Sequence, residues 1–164
     1  MRRLFLMLGA AVALSAIAAP ALAKSTVDPP KYDVFLYVDT VNGTRPSGAK
    51  PRPVGCTQTN YFARGEQVVF RSWGSEAAKG DILSSENVKY AYVKIPGQPN
   101  LKLNWGAHGA PTNRVWFWSN AWIVPKNYPL GTAATQIVFK TESNKFGRFD
   151  YELQIVPNLA KKKK

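Results

Sequence analysis

Apolar and polar residues alternate with a period of two along most of this chain, and that pattern predicts β-strands. No run of helix length shows the helical period. Seven segments are predicted as strands: Tyr32–Val41, Gln67–Trp73, Val88–Ile95, Leu101–Trp105, Arg114–Val124, Ala133–Thr141 and Arg148–Val156. The sequence therefore predicts an all-β fold.

Turn signals separate the predicted strands. Asn42-Gly43 ends the first strand, and the Pro-, Gly- and base-rich segment Thr44–Gly55 is predicted to be a loop. Gly74–Asn87 is predicted to be a polar connection with a short helical turn, Gly106–Asn113 a loop, and Asn144–Gly147 a hairpin turn. About seven strands at nearly regular spacing favour an antiparallel β-sandwich, with a small closed barrel as the structural alternative.

The N-terminus has the three parts of a secretory signal peptide. Met1-Arg2-Arg3 is positively charged, Leu4–Ala19 is apolar, and Ala21-Leu22-Ala23 is a small-x-small cleavage site. Cleavage after Ala23 would leave residues 24–164, which is 141 of the 164 residues and suits one domain over 24–160. We therefore expect a periplasmic or secreted protein.

Two export routes are compatible with this signal. The pair Arg2-Arg3 followed by Leu4 fits the core of a twin-arginine signal, and an ordinary secretory signal that happens to carry two arginines is the alternative. No second apolar stretch long enough to span a bilayer follows, so no transmembrane segment is expected.

The chain is strongly basic, with a formal net charge of +12. Part of this charge is the run Lys161–Lys164, a basic tail at the C-terminus. Such a run is either a solvated tail or a contact for an acidic surface or partner. Nucleic acid is a poor partner for an exported protein, and none is predicted.

Four stretches between Phe62 and Val156 resemble bacterial extracytoplasmic immunoglobulin-like domains. They are FARGEQVVFR, VKYAYVKIPG, FWSNAWIVPKNYPLGT and GRFDYELQIV. The shared features are a Gly-Glu-x-Val opening of a core strand and a Trp-x-x-Pro turn that Pro-x-Gly and the last hairpin follow. The resemblance implies a seven-stranded immunoglobulin-like sandwich used for binding, docking or spacing, and it implies no catalytic residue. The paired inter-sheet cysteines of antibody domains are missing.

Candidate catalytic chemistry is sparse. The chain has one cysteine, Cys56, and one histidine, His108, so no intramolecular disulfide can form and a nucleophilic mechanism would depend on His108 alone. We predict no enzyme activity and no cofactor. If Cys56 and His108 meet in space, they could serve a metal- or redox-linked accessory role, and this remains the alternative function.

The aromatic strand is the main candidate for binding. Its alternation places Trp116, Trp118 and Trp122 on one face, and Phe117 and Ile123 on the other. We predict that Phe117 and Ile123 face the core, and that at least one of the three tryptophans stays accessible. The predicted partner- or ligand-binding residues are Trp105, His108, Arg114, Trp116, Trp118 and Trp122. Two alternatives stay open, namely that the tryptophans form plain core or that the protein is a carbohydrate-binding module.

Overall fold

The computed structural model describes residues 32–43 and 55–157. All regular structure in these ranges is β-strand, so the prediction of an all-β fold is confirmed. Nine strands lie in the described ranges, two more than predicted. They are β1 (Val34–Asn42), β2 (Tyr61–Ala63), β3 (Gln67–Glu76), β4 (Val88–Lys94), β5 (Leu101–Lys102), β6 (Asn104–His108), β7 (Val115–Ile123), β8 (Gly131–Thr141) and β9 (Phe146–Val156).

The strands form two sheets. The first has the order β1-β3-β7-β6 and the second the order β2-β9-β8-β4-β5. Neighbouring strands are antiparallel except β2 and β9, which are parallel. The prediction of a purely antiparallel fold is therefore wrong at one edge of the second sheet. The strand Tyr61–Ala63 is too short for its alternation to be recognised in the sequence.

The predicted strand Leu101–Trp105 is divided between the two sheets. Leu101–Lys102 pairs with β4, whereas Asn104–His108 pairs with β7. Leu103 lies between them, fully buried, and its N–H donates to the carbonyl of Ala91 at 2.9 Å. The chain thus passes from the second sheet to the first at Leu103, and the loop predicted to begin at Gly106 begins only after His108.

Other boundaries shift by a few residues. β3 continues past Trp73 to Glu76, and turns rather than a helix follow it. Asn144, with a φ of 63°, lies in the β8–β9 hairpin, as its turn signal predicts. Of the predicted loop Thr44–Gly55, all but Gly55 lies outside the described residues. The predicted signal peptide and the basic tail lie outside them too.

Both sheets contribute to one hydrophobic core. Trp118 of β7 meets Phe139 of β8 edge to face, with ring centroids 5.5 Å apart. The indole N–H of Trp118 donates to the carbonyl of Leu83 at 2.8 Å, so the buried ring also has its polar atom satisfied. Other fully buried side chains of the same core include Phe62, Val68, Phe70, Val93, Ile137, Leu153 and Ile155.

The two faces of β7 are the reverse of those predicted. Trp118 and Trp122 belong to the core, at 6% and 9% exposure. Phe117 is buried too, but on the outer face, where its ring meets that of Trp73. The prediction that Phe117 and Ile123 face the core is therefore wrong. Both faces of β7 are apolar, and the pairing with β3, which sets Val68 beside Trp122, decides between them.

Candidate functional site

The outer face of the first sheet is unusually apolar for a sheet surface. Pairing of β1 with β3 brings Tyr37 beside Trp73, Asp39 beside Arg71, and Val41 beside Val69. Because paired residues share a face, these side chains and the alternate residues of β7 cover the side opposite to the core. A cavity of about 680 Å³ lies on this face. Its apolar walls are formed by Val41, Val69, Trp73, Val115, Phe117 and Ala121.

A bidentate ion pair between Arg71 and Asp39 lies on this face. Arg71 donates from Nε to Oδ1 of Asp39 at 2.6 Å and from Nη2 to Oδ2 at 2.5 Å. The Asp39 side chain is 5% exposed and that of Arg71 27%. The hydrogen bond with Asp39 raises the pKa of Arg71, against the opposing effect of burial. The pair with Asp39 does not use Nη1 of Arg71, and Arg71 lines the cavity, so its guanidinium keeps donor capacity beyond the ion pair.

Aromatic rings surround the guanidinium of Arg71. Its central carbon lies 5.7 Å from the ring centroid of Trp73 and 5.9 Å from that of Phe117. The rings of Trp73 and Phe117 are themselves 4.9 Å apart, and Tyr37 lies 5.6 Å from Trp73. The cation is thus held against two π-faces, which favours a fixed side-chain position.

His108 also lines the cavity, next to Phe117. Its ring stacks on Phe117 with centroids 3.9 Å apart and an interplanar angle of 11°, and its Nε2 lies 3.1 Å from Oγ of Ser119. Burial and then the charge of Arg71 lower the pKa of His108. Both effects favour the neutral imidazole, and one of its nitrogens is engaged by Ser119.

Gly109 forms a tight turn directly after His108, the last residue of β6. Its φ is +102°, and a Cβ at this position would lie 2.6 Å from the carbonyl oxygen of Asn113. Only glycine fits that backbone without strain. Both Gly109 and Asn113 line the cavity, so the tight turn after His108 shapes one rim.

Cys56 lies at another rim of the same cavity. It is exposed and adopts a φ of 57°, a left-handed conformation that is uncommon for residues other than glycine. Two hydrogen bonds hold the segment: Cys56 N–H donates to the carbonyl of Asn42 at 2.9 Å, and Thr57 N–H donates to Oδ1 of Asn42 at 2.7 Å. The structure therefore brings the two residues of the alternative function, Cys56 and His108, to one cavity.

The predicted binding residues are divided among four places. His108 lines the cavity, whereas Trp118 and Trp122 are core residues. Trp116 is 51% exposed and stacks on the half-buried Trp105, away from the cavity. Arg114 is exposed, just before β7.

Sequence reasoning missed the centre of the site. Asp39, Arg71 and Trp73 were not among the predicted residues. A signal was present, because Asp39 and Arg71 each stand inside an apolar strand, and charged residues are almost never fully buried unless they are paired. What alternation could not supply is the register that places the two opposite each other.

Comparison with known proteins identifies no relative: no family model, no curated protein and no solved structure matches the chain. Within residues 32–43 and 55–157, no three His, Cys, Asp or Glu side chains lie close enough together to hold a metal ion. In the same ranges there is no helix with the length and apolarity needed to cross a membrane.

Proposed function

We propose that this protein is a non-enzymatic binding domain that takes a small ligand into the cavity on the outer face of its first sheet. The observation that carries the proposal is the arrangement of apolar and aromatic walls around the guanidinium of Arg71. Ligand sites typically combine such walls with a few placed polar groups, in volumes of roughly 300 to 1,000 Å³. The cavity of about 680 Å³ falls in that range.

We further propose that the fold is an immunoglobulin-like sandwich. Strand order supports this assignment. The first sheet, β1-β3-β7-β6, corresponds to strands A-B-E-D of an immunoglobulin domain, and β9-β8-β4 of the second sheet corresponds to G-F-C. The two short strands β2 and β5 are then additions at the edges of the second sheet.

The ion pair indicates which ligands fit. Asp39 already neutralises the charge of Arg71. An anionic ligand would therefore find no net positive charge here, and it would be repelled by the carboxylate of Asp39. A neutral acceptor, such as a carbonyl, can still bond the unused N–H groups of Arg71. Trp73, Phe117 and His108 supply flat faces for a planar apolar body. The favoured ligand is therefore a neutral aromatic or other planar molecule with a hydrogen-bond acceptor.

Benzamide and benzoate make a matched pair of probes for this site. Ligand-observed NMR should show benzamide binding more tightly than benzoate. Trp73→Ala should weaken benzamide binding at least about 10-fold, or 1.4 kcal/mol. Trp116→Ala, a tryptophan of the same sheet away from the cavity, is the control and should bind as the parent does. Equal binding by the Trp73→Ala variant would refute the proposed site.

A non-enzymatic role is favoured by the surroundings of His108. Its contact with Ser119 has the length of a serine–histidine pair, but Ser119 is not among the residues that line the cavity. The hydrogen bond and the stacking on Phe117 fix the ring as a wall. We expect no hydrolysis of simple aryl esters above the rate of a Ser119→Ala control.

A metal-linked accessory role is the second candidate, and the shared cavity of Cys56 and His108 favours it. In the tautomer in which Nε2–H donates to Ser119, Nδ1 of the neutral imidazole carries a lone pair that could act as a ligand. A thiolate and an imidazole suit a soft ion such as Cu(I). Titration with Cu(I) under reducing conditions should then show one site that both Cys56→Ser and His108→Phe abolish. Retention of binding in either variant would exclude this role.

The proposed location is the periplasm or the cell exterior, on the basis of the predicted signal peptide. We propose that the basic tail Lys161–Lys164 gives a weak, salt-dependent contact with acidic surfaces. Deleting these lysines should lower binding to vesicles that contain phosphatidylserine and leave thermal unfolding unchanged. Equal vesicle binding by the truncated protein would show that the tail makes no such contact.

A further inference from the structure

A second aromatic surface lies away from the cavity around Arg71, at the start of β7. Trp116 is 51% exposed, a large apolar area to leave in water. β7 pairs with β3 only from Trp118 onward, while Val115–Phe117 pairs with β6 alone. β3 itself continues to Glu76, but it is not paired with β7 beyond Ser72, so the β6–β7 ribbon separates from β3 before it reaches Trp116.

Stacked rings hold the exposed indole in place. Trp116 stacks on Trp105 with centroids 5.9 Å apart and an interplanar angle of 29°. Trp105 in turn lies 5.7 Å from Trp118, whose ring is anchored in the core by its hydrogen bond to Leu83. The outer ring thus rests on a ladder of three tryptophans that ends in the core. A ring held in this way loses little conformational entropy when a ligand stacks on it.

Trp105 also lines a second cavity, of about 290 Å³. Five of its ten lining residues carry polar groups at the end of the side chain: Ser85, Lys89, Tyr90, Lys102 and Asn104. The cavity on the first sheet, by contrast, has mainly apolar walls. Hydroxyl, amide and ammonium groups beside an indole face are the combination that a sugar ring needs. One face of the sugar stacks on the aromatic ring, and its hydroxyls bond the polar groups.

The charged residues that line the second cavity indicate the charge of its ligand. Lys89 and Lys102 each provide an ammonium group, with three donors and no acceptor. Both lysines are exposed, and the chain as a whole carries +12. No acidic residue is among those that line this cavity. We infer that the surface of Trp116, Trp105, Lys89 and Lys102 is a binding site for an acidic sugar chain, in which the carboxylates meet the lysines and a sugar ring stacks on Trp116.

This site shares no lining residue with the cavity around Arg71, so the inference does not depend on the proposed function. Isothermal titration with hexagalacturonate is the test, and maltohexaose is the uncharged control. We expect saturable binding of hexagalacturonate that weakens with added salt, and at least 10-fold weaker binding of maltohexaose. Absence of saturable binding, or equal affinity for the two sugars, would overturn the inference.

Variants assign the binding to residues. Trp116→Ala, and separately the double variant Lys89→Gln with Lys102→Gln, should each weaken hexagalacturonate binding at least about 10-fold. Trp73→Ala, which alters only the other cavity, should bind as the parent does. Both variants change exposed side chains, so both should stay folded: the lysine variant should unfold at the temperature of the parent, and Trp116→Ala only slightly below it. Parental affinity in the Trp116→Ala variant, or loss of binding in Trp73→Ala instead, would refute the site.

Discussion

Trp116 and Trp118 offer a matched test of the fold, because they lie two residues apart on the same side of one strand. Trp118 is 6% exposed and donates to the buried Leu83 carbonyl, whereas Trp116 is 51% exposed. Replacing Trp118 with Ala should cost about 3–5 kcal/mol, as expected for a large core side chain. Replacing Trp116 with Ala removes mainly one ring–ring contact and should cost about 0.5–1.5 kcal/mol.

Conservative variants separate the hydrogen bond from the packing. Trp118→Phe keeps an aromatic ring but leaves the Leu83 carbonyl without its donor, which should cost about 1–3 kcal/mol, in addition to the loss of volume. Trp116→Phe should stay within about 0.5 kcal/mol of the parent, as surface substitutions usually do. Urea unfolding monitored by circular dichroism gives all four values, provided that the m-value is unchanged. A Trp116→Ala variant as unstable as Trp118→Ala would refute the assignment of the β7 faces.

Four further predictions follow from the ion pair, the histidine, the cysteine and the signal. Asp39→Ala should cost about 3–5 kcal/mol in urea unfolding because it leaves Arg71 unpaired, and Asp39→Leu combined with Arg71→Met should recover most of that loss. Because the folded-state pKa of His108 lies below its ordinary 6.5, the unfolded state binds the proton more tightly. Stability should therefore fall as pH drops below about 6.5, and His108→Phe should fall less. Thermal unfolding should not change with reductant, since Cys56 is the only cysteine. Mass spectrometry of the exported protein should find Lys24 as its first residue, and an intact Met1 would refute cleavage.

The sequence was sufficient for the strands but not for their partners. Alternation located strands such as Gln67–Glu76 and Gly131–Thr141 to within a few residues, because each has one buried face. The crossing at Leu103 was missed, since a strand that changes sheets keeps its alternation without a break. The short β2 has too few residues for any period to show.

The candidate site was harder to predict than the fold. His108 was identified because histidine is rare in this chain, and Trp116 because tryptophan is conspicuous. Arg71 and Asp39 were missed because their importance arises from a pairing 32 residues apart in sequence, which only the β1–β3 register creates. Residue type points to candidate chemistry, but long-range pairing determines which side chains meet.

A neutral planar ligand is proposed to enter the cavity beside Arg71. All five tryptophans of the chain lie in the described residues, and only Trp73 lines that cavity. Fluorine NMR of protein labelled with fluorotryptophan, titrated with benzamide, is the decisive experiment. The Trp73 resonance should shift with saturation while those of Trp118 and Trp122 stay in place. A titration that leaves Trp73 unmoved, or that moves Trp116 alone, would contradict this proposal.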